Sequence, residues 1–124
     1  MNVKINTKEK FTVISILDAE ITAIMTGNLE DLLLRQMQNN PAHLVFNMKQ
    51  VSKLDPEIAE KINNLQQQYY ENNISFVICS LQSQVENMLD EIGLLEQMNI
   101  TPTESEAWDI VQMEEIEREI LGGE

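Results

Sequence analysis

The chain has 124 residues, of which 43% are hydrophobic, and this length suits one domain with a modest core. Its 21 acidic and 8 basic residues give a formal net charge of −13, so it lacks the cationic surplus that neutralises nucleic-acid phosphates. The same charge repels anionic lipids and favours a partner protein with a basic surface. Neither an apolar run of roughly 20 residues nor a secretory leader is present, so we expect a cytoplasmic protein without membrane insertion.

Short β-branched runs at the start of the chain predict an antiparallel hairpin over about residues 2–17, with a charged turn between its strands. Apolar residues then recur at helical spacing after Gly27, which predicts a first helix that ends at Asn39-Asn40-Pro41. The next run, HLVFNM, is short and continuously apolar, as in a strand buried on both faces. The first third of the chain therefore predicts a hairpin, a helix and a buried strand.

A second helix is predicted to begin at Asp55. Its apolar stripe comprises Ile58, Ile62, Leu65 and Tyr69. The run ISFVIC predicts another buried strand, and a short helix that Gly93 ends follows it. A weak strand over residues 98–101 completes this part of the chain.

The last helix is predicted from Thr103 to about Leu121. The residues expected to face inward are Ala107, Trp108 and Val111, with Ile110 and Met113 beside them. The segment from about residue 114 is acidic, and we expect it to form a helical extension that protrudes or frays. Because the strands alternate with helices, the sequence predicts an α/β domain with a mostly parallel sheet, an N-terminal antiparallel hairpin and about four helices.

Few residues have the types and spacing of a metal or cofactor site. Cys79 lies inside an apolar run, where a buried thiol is expected. His43 has no second histidine or cysteine pair at ligand spacing, so no metal site is predicted. The four glycines form no phosphate-binding loop, and no cofactor is expected.

The segment Asp55-Pro56-Glu57 has the residue preferences of a helix start. The carboxylate of Asp55 is expected to accept hydrogen bonds from the first amides of its own helix, an N-cap worth ~1 kcal/mol. Pro56 at the first helical position gives up an amide that would be unpaired there, and Glu57 meets the positive end of the helix dipole. Local physics alone therefore assigns this segment no function.

The order of these segments resembles the STAS family, whose members include anti-sigma-factor antagonists. The stretches FTVISILDAEITAIMTGNLEDLL, AHLVFNMKQVSKLDPEIAEKI and NNISFVICSLQSQVENMLDEIGLLEQMNITPTESEAW carry the resemblance, which spans about residues 3–115. It implies the STAS fold and a non-enzymatic regulatory module that binds proteins. The implied partner is an anti-sigma kinase-like protein or another STAS-containing protein, and a homodimer is possible.

The resemblance breaks at the family's phosphorylation site. Antagonists of the family carry a phosphorylated serine or threonine after the aspartate that matches Asp55, whereas this chain has Pro56 and Glu57 there. Two family aspartates correspond to Thr22 and Asn47. The resemblance therefore implies that the serine switch is lost. Glu57 could also act as a fixed substitute for phosphate, although a carboxylate supplies about −1 and phosphoserine about −1.5 to −2.

The resemblance also implies which surface binds the partner, namely the start and the polar face of the second helix. The matching residues are Lys53, Asp55, Glu57, Glu60, Lys61 and Asn64, with Thr22 and Thr26 nearby.

Two alternative functions remain open on the sequence alone. A degenerate receiver-like phosphoacceptor is suggested by polar residues at predicted strand ends. These residues are Asp18 with Glu20, Ser80, and Thr101 with Pro102. Asn47 stands where that class needs its acceptor aspartate, and Thr101 where it needs a lysine. The other alternative is a STAS domain that senses a small molecule or lipid.

Overall fold

The computed structural model describes residues 1–122. Its strands are β1 (Val3–Thr7), β2 (Thr12–Ile16), β3 (Glu20–Ile21), β4 (Leu44–Asn47), β5 (Lys53–Leu54), β6 (Phe76–Cys79) and β7 (Ile100–Thr101). Its helices are α1 (Thr26–Gln36), α2 (Pro56–Glu71), α3 (Ser83–Glu91) and α4 (Glu104–Gly122), and a 3-10 turn (Ala23–Met25) precedes α1.

A five-stranded sheet with the order β1-β2-β4-β6-β7 forms the centre of the fold. The strands β1 and β2 are antiparallel, and each further neighbouring pair is parallel. The antiparallel pair is the hairpin that the sequence predicts, and the parallel pairs follow from the helices that connect them. The predicted fold class, a mixed and mostly parallel sheet with an N-terminal hairpin, is confirmed.

Both faces of the sheet are covered, which explains why its central strands read as continuous apolar runs. In β4, Leu44 and Phe46 face a large core formed with α1, α2 and α3. The intervening Val45 faces a smaller core with Val77 and Val111, which α4 covers. Because α1 and α2 share one face, their first turns are positioned next to each other, whereas α4 lies on the opposite face.

Helix α4 differs from its prediction in two respects. Ala107 and Val111 are buried as expected, and Trp108 stacks on Phe11 with 4.5 Å between ring centroids. Met113, predicted to face inward, is 55% exposed, so that prediction is wrong. Met113 lies on the side of α4 that faces solvent. Polar residues occupy the positions of this part of the helix that face the domain.

The second half of α4 is an unbroken helix to Gly122 that contacts the domain. Arg118 donates a hydrogen bond to the Ser75 hydroxyl at 2.9 Å, and His43 Nε2 lies 3.3 Å from a Glu115 carboxylate oxygen. The prediction that this acidic end protrudes or frays is therefore wrong for residues 114–118, because Glu114, Glu115 and Arg118 find polar partners near the amino ends of the strands. Residues 123 and 124 lie outside the described part.

A buried tyrosine connects α1 to α2. The hydroxyl of Tyr69 donates a hydrogen bond to the carbonyl of Leu33, which lies in the last turn of α1. The ring of Tyr69 packs edge-on against Phe76 with 4.9 Å between centroids. Burial raises the pKa of the Tyr69 phenol.

Removing this hydroxyl should destabilise the fold. We expect Tyr69→Phe to lower the free energy of unfolding by about 1–2 kcal/mol, because the buried Leu33 carbonyl loses its donor. Urea denaturation followed by circular dichroism measures the change. Tyr70→Phe is the matched control, since Tyr70 is exposed, and its effect should stay within about 0.5 kcal/mol. Equal losses in the two variants would contradict the role of the Tyr69 hydroxyl.

The same tyrosine makes the free energy of unfolding depend on pH in the alkaline range. Since the pKa of Tyr69 is raised above its ordinary value of 10.0, the folded state holds the phenol proton more tightly than the unfolded state. Its stabilisation is present below about pH 10 and is lost as the pH rises further. We expect the unfolding free energy of Tyr69→Phe to fall less steeply above that pH than that of the wild type.

Candidate functional site

The loops that follow β2 and β4 are joined by a small second sheet. In it β3 pairs with β5 in parallel, so that Ile21 lies opposite Leu54. The Ser52 amide donates to the Ala19 carbonyl at 2.7 Å, and the Asp55 amide donates to the Ile21 carbonyl at 3.0 Å. These bonds bring the start of α1 and the start of α2 together. The sequence did not predict either strand, because two residues are too few to show a periodicity.

Asp55 occupies the N-cap position of α2 but caps a different element. Its carboxylate oxygen Oδ2 accepts a hydrogen bond of 2.9 Å from the amide of Ala23, 32 positions earlier in the chain. The amides of Ile58 and Ala59, in the first turn of α2, donate instead to the backbone carbonyl of Asp55. The prediction that the carboxylate binds its own helix is therefore wrong. Ala23 starts the 3-10 turn, where its amide has no carbonyl partner within the turn.

The two residues after Asp55 are exposed at the first turn of α2. Pro56 is the first helical residue and Glu57 is the acidic residue of that turn. Because the helix start leaves amides unpaired and carries partial positive charge, the carboxylate of Glu57 is favourably placed there. The surface at the α2 start thus carries a permanent negative charge.

The remaining predicted site residues divide into two groups. Thr22 and Thr26 flank the 3-10 turn, and the hydroxyl of Thr26 donates to the Ala23 carbonyl at 2.7 Å. Glu60 and Asn64 are exposed on α2. With a rise of 1.5 Å per residue, Asn64 lies about 13 Å along the helix from Asp55. Asn64 is therefore at the margin of the site, whereas the threonines are next to its centre.

The two lysines of the predicted site have different surroundings. The ammonium of Lys61 is 2.6 Å from a carboxylate oxygen of Glu30, in an ion pair that links α2 to α1. The ammonium of Lys53 is 4.0 Å from Glu20, and both side chains are exposed, so this pair contributes little. Lys53 is consequently the more available cation for a partner.

One exposed apolar residue at this site was missed by sequence reasoning. Ile24, in the 3-10 turn, is 93% exposed and immediately follows Ala23. A single isoleucine in a connecting segment gives no periodic signal, so only the turn geometry shows that its side chain points outward. The site therefore combines an apolar tip with charged residues around it.

Several residues of the receiver-like alternative form hydrogen bonds with other parts of the domain. The carboxylate of Asp18 accepts hydrogen bonds from the backbone amide and the side chain of Asn2. Asn47 donates to Glu104 at 3.2 Å, and the Thr101 hydroxyl donates to the Thr103 carbonyl at 2.9 Å. Within residues 1–122, no three or more histidine, cysteine or acidic side chains come together as a metal site. This arrangement does not support phosphoacceptor chemistry.

A polar cleft beside Asn47 is the place where a small ligand would be expected in a parallel sheet. It is lined by Lys4, Asn6, Lys49 and Glu104 among others and has a volume of about 280 Å³. Sites for drug-sized ligands have roughly 300–1,000 Å³ and are mostly apolar. Its size and polarity therefore do not favour this cleft as the site of a drug-sized ligand.

Cys79 and His43 have structural roles. Cys79 is fully buried, as predicted, and desolvation raises the pKa of its thiol. His43 Nδ1 accepts a hydrogen bond of 3.0 Å from the Ser75 amide.

The cross-loop role of Asp55 can be tested directly. We expect Asp55→Ala to lower the free energy of unfolding by about 1–2 kcal/mol and to speed hydrogen exchange at the Ala23 amide about tenfold or more. The Ala59 amide should keep its protection, because its acceptor is the backbone carbonyl of residue 55. Amide exchange followed by NMR makes the comparison. Loss of protection at Glu57 and Ile58, with Ala23 unchanged, would show an ordinary N-cap instead.

No helix among residues 1–122 combines the length and hydrophobicity that crossing a membrane requires.

Comparison with known proteins shows the same architecture. Solved structures with this fold include a serine-to-glutamate variant of RsbS from Moorella thermoacetica, 18% identical, with a TM-score of 0.72 over 91% of this chain and 97% of that chain. An anti-sigma factor antagonist from Mycobacterium paratuberculosis is also 18% identical, with a TM-score of 0.74 over 90% and 93% of the chains. Unphosphorylated SpoIIAA, an anti-sigma factor antagonist, is 15% identical, with a TM-score of 0.63 over 90% and 97%.

No curated protein sequence matches the chain. The family model described as the STAS domain matches residues 2–107, which is most of the length of this chain. This match establishes that the chain belongs to the STAS domain family.

Proposed function

We propose that this protein is a non-enzymatic regulatory module that binds a protein partner through the joined starts of α1 and α2. The observation that carries the proposal is the hydrogen bond from the Ala23 amide to the Asp55 carboxylate, because it unites residues from two loops in one surface. Family membership supports the regulatory role. The partner is an anti-sigma kinase-like protein or another STAS-containing protein, met in the cytoplasm.

The proposed surface has the composition of a protein-binding site. Ile24 supplies an exposed apolar side chain that a partner can enclose. Lys53, Glu57 and Glu60 supply exposed charges around it, which set the orientation of a partner and reject mismatched ones. The joined loops hold these groups in place before binding, so less conformational entropy is lost on association.

We further propose that this surface works without a serine phosphorylation switch. Pro56 and Glu57 have no hydroxyl group for a kinase to phosphorylate. Nearby hydroxyls support the backbone instead, since Ser52 donates to the Ala19 carbonyl at 3.1 Å and Thr26 to the Ala23 carbonyl. The module would therefore be regulated by the abundance or state of its partner.

Charge reversal at the surface tests the proposed binding role. The wild-type protein is immobilised, and proteins retained from native lysate are identified by mass spectrometry. We expect Glu57→Lys to lose the specific partner, because it reverses a charge at the centre of the surface. Glu9→Lys makes the same change in the turn between β1 and β2, at the opposite end of the strands, and should retain the partner.

Retention of the same proteins by wild type and Glu57→Lys would contradict the proposed surface. Lys61→Glu is a less informative variant, because it would place a second carboxylate against Glu30 and so disturb the contact between α1 and α2. Ile24→Gln adds a neutral test, since it removes only apolar contact and should also weaken retention.

The absence of a phosphorylation switch gives a separate prediction. We expect intact-mass measurement of the native protein to show a single unphosphorylated species, also after incubation with the kinase of any partner complex. The reason is that positions 56 and 57 offer no hydroxyl group to a serine or threonine kinase. Phosphate located at Ser52, Thr22 or Thr26 would overturn the proposal and indicate a displaced switch.

A further inference from the structure

The second half of α4 exposes an apolar stripe. Met113, Ile116 and Ile120 follow each other at i, i+3 and i+7, which places them on one side of the helix. Their side chains are 55%, 55% and 74% exposed, and Leu121 beside them is 84% exposed. Single exposed apolar residues are common, but a row of them at helical spacing marks an interaction surface.

The opposite side of this half-helix, which faces the domain, is polar. Glu114 accepts a hydrogen bond of 3.0 Å from Asn99, Arg118 donates to Ser75, and Glu115 lies against His43. A surface helix ordinarily turns its apolar stripe inward and its charges outward. Here the arrangement is reversed, so packing within the domain does not account for the apolar residues. They also lie beyond residue 107, where the family match ends.

The charges around the stripe restrict what can cover it. Glu117 lies along one side of the stripe and Glu119 along the other, and Asp109 lies at its amino end. The whole chain has a net charge of −13. A second copy would bring these acids against each other, and an anionic membrane would repel them. A surface that is apolar in the middle and basic at its edges complements both features.

We propose that Met113, Ile116 and Ile120 form a second docking surface, which binds an amphipathic helix of another protein whose apolar stripe is flanked by lysine and arginine. Helices pair in this way when apolar residues meet along the seam and opposite charges meet beside it. Because α4 covers the opposite face of the sheet from α1 and α2, this surface is separate from the joined helix starts. Two partners could then be bound at once.

The probe is a labelled 14-residue peptide of leucine and lysine with its leucines at helical spacing, compared with a scrambled peptide of the same composition. Fluorescence anisotropy measures both affinities. We expect the wild type to bind the patterned peptide at least about tenfold more tightly, because only this peptide buries the stripe. The double variant Ile116→Gln with Ile120→Gln should lose this preference, while its charge and helix content stay unchanged.

Ile5→Gln is the matched control, since Ile5 on β1 is 55% exposed, as Ile116 is, and this variant should keep the preference. Equal binding of the two peptides by the wild type, or a preference that survives in the double variant, would overturn the proposal. Analytical sedimentation tests whether a second copy of the chain covers the stripe instead. A dimer formed by the wild type but not by the double variant would show this and would overturn the proposal. The Glu57→Lys experiment tests only the joined helix starts, and the peptide experiment tests only the α4 stripe. Either proposal can therefore be wrong while the other holds.

Discussion

The hydrogen bond between the Asp55 carboxylate and the Ala23 amide is the contact on which the proposed surface depends. The strands β3 and β5 have two residues each, and so short a pair is not stable by itself. The carboxylate extends this pairing by one further bond and fixes the 3-10 turn against the start of α2. Without it, the backbone bonds of β3 and β5 would still join the loops, but the 3-10 turn would lose its hydrogen bond to the start of α2.

A hydrogen bond to an ionised group is stronger than one between neutral groups, which suits an aspartate to this position. The same residue also supplies the backbone carbonyl that the first amides of α2 need. Asp55 therefore has two separable roles, one in its own helix and one across the loops. Pro56 is compatible with both, because it removes an amide that neither role uses.

The sequence predicted the fold because the elements that build it are long enough to show periodicity. The apolar stripe of α2 and the continuous run of β4 are examples, and both are buried as expected. The contact made by Asp55 could not be predicted, because its partner is 32 positions away and helix preferences explain the residue completely. The exposure of Ile24 and of Met113 was not predicted for a related reason. Apolar composition does not reveal which side of a short turn or helix faces solvent.

Charge organises the two proposed surfaces differently. At the α2 start, acidic groups stand beside Lys53, so the surface has both signs and can discriminate between partners. Along the outer side of α4 the charges are acidic and surround apolar side chains. An excess of 13 negative charges favours basic partners at both places and speeds their approach. The opposite positions of the two surfaces on the sheet suit a protein that connects two others.

The central claim is that the joined starts of α1 and α2 form the partner-binding surface. Hydrogen exchange of the purified complex, compared with the free protein, tests it most directly. The account predicts slower exchange in the complex for the backbone amides of residues 22–26 and 53–61, with the hairpin turn near residue 9 unchanged. Unaltered exchange in both of those segments, with protection confined to other parts of the chain, would contradict it.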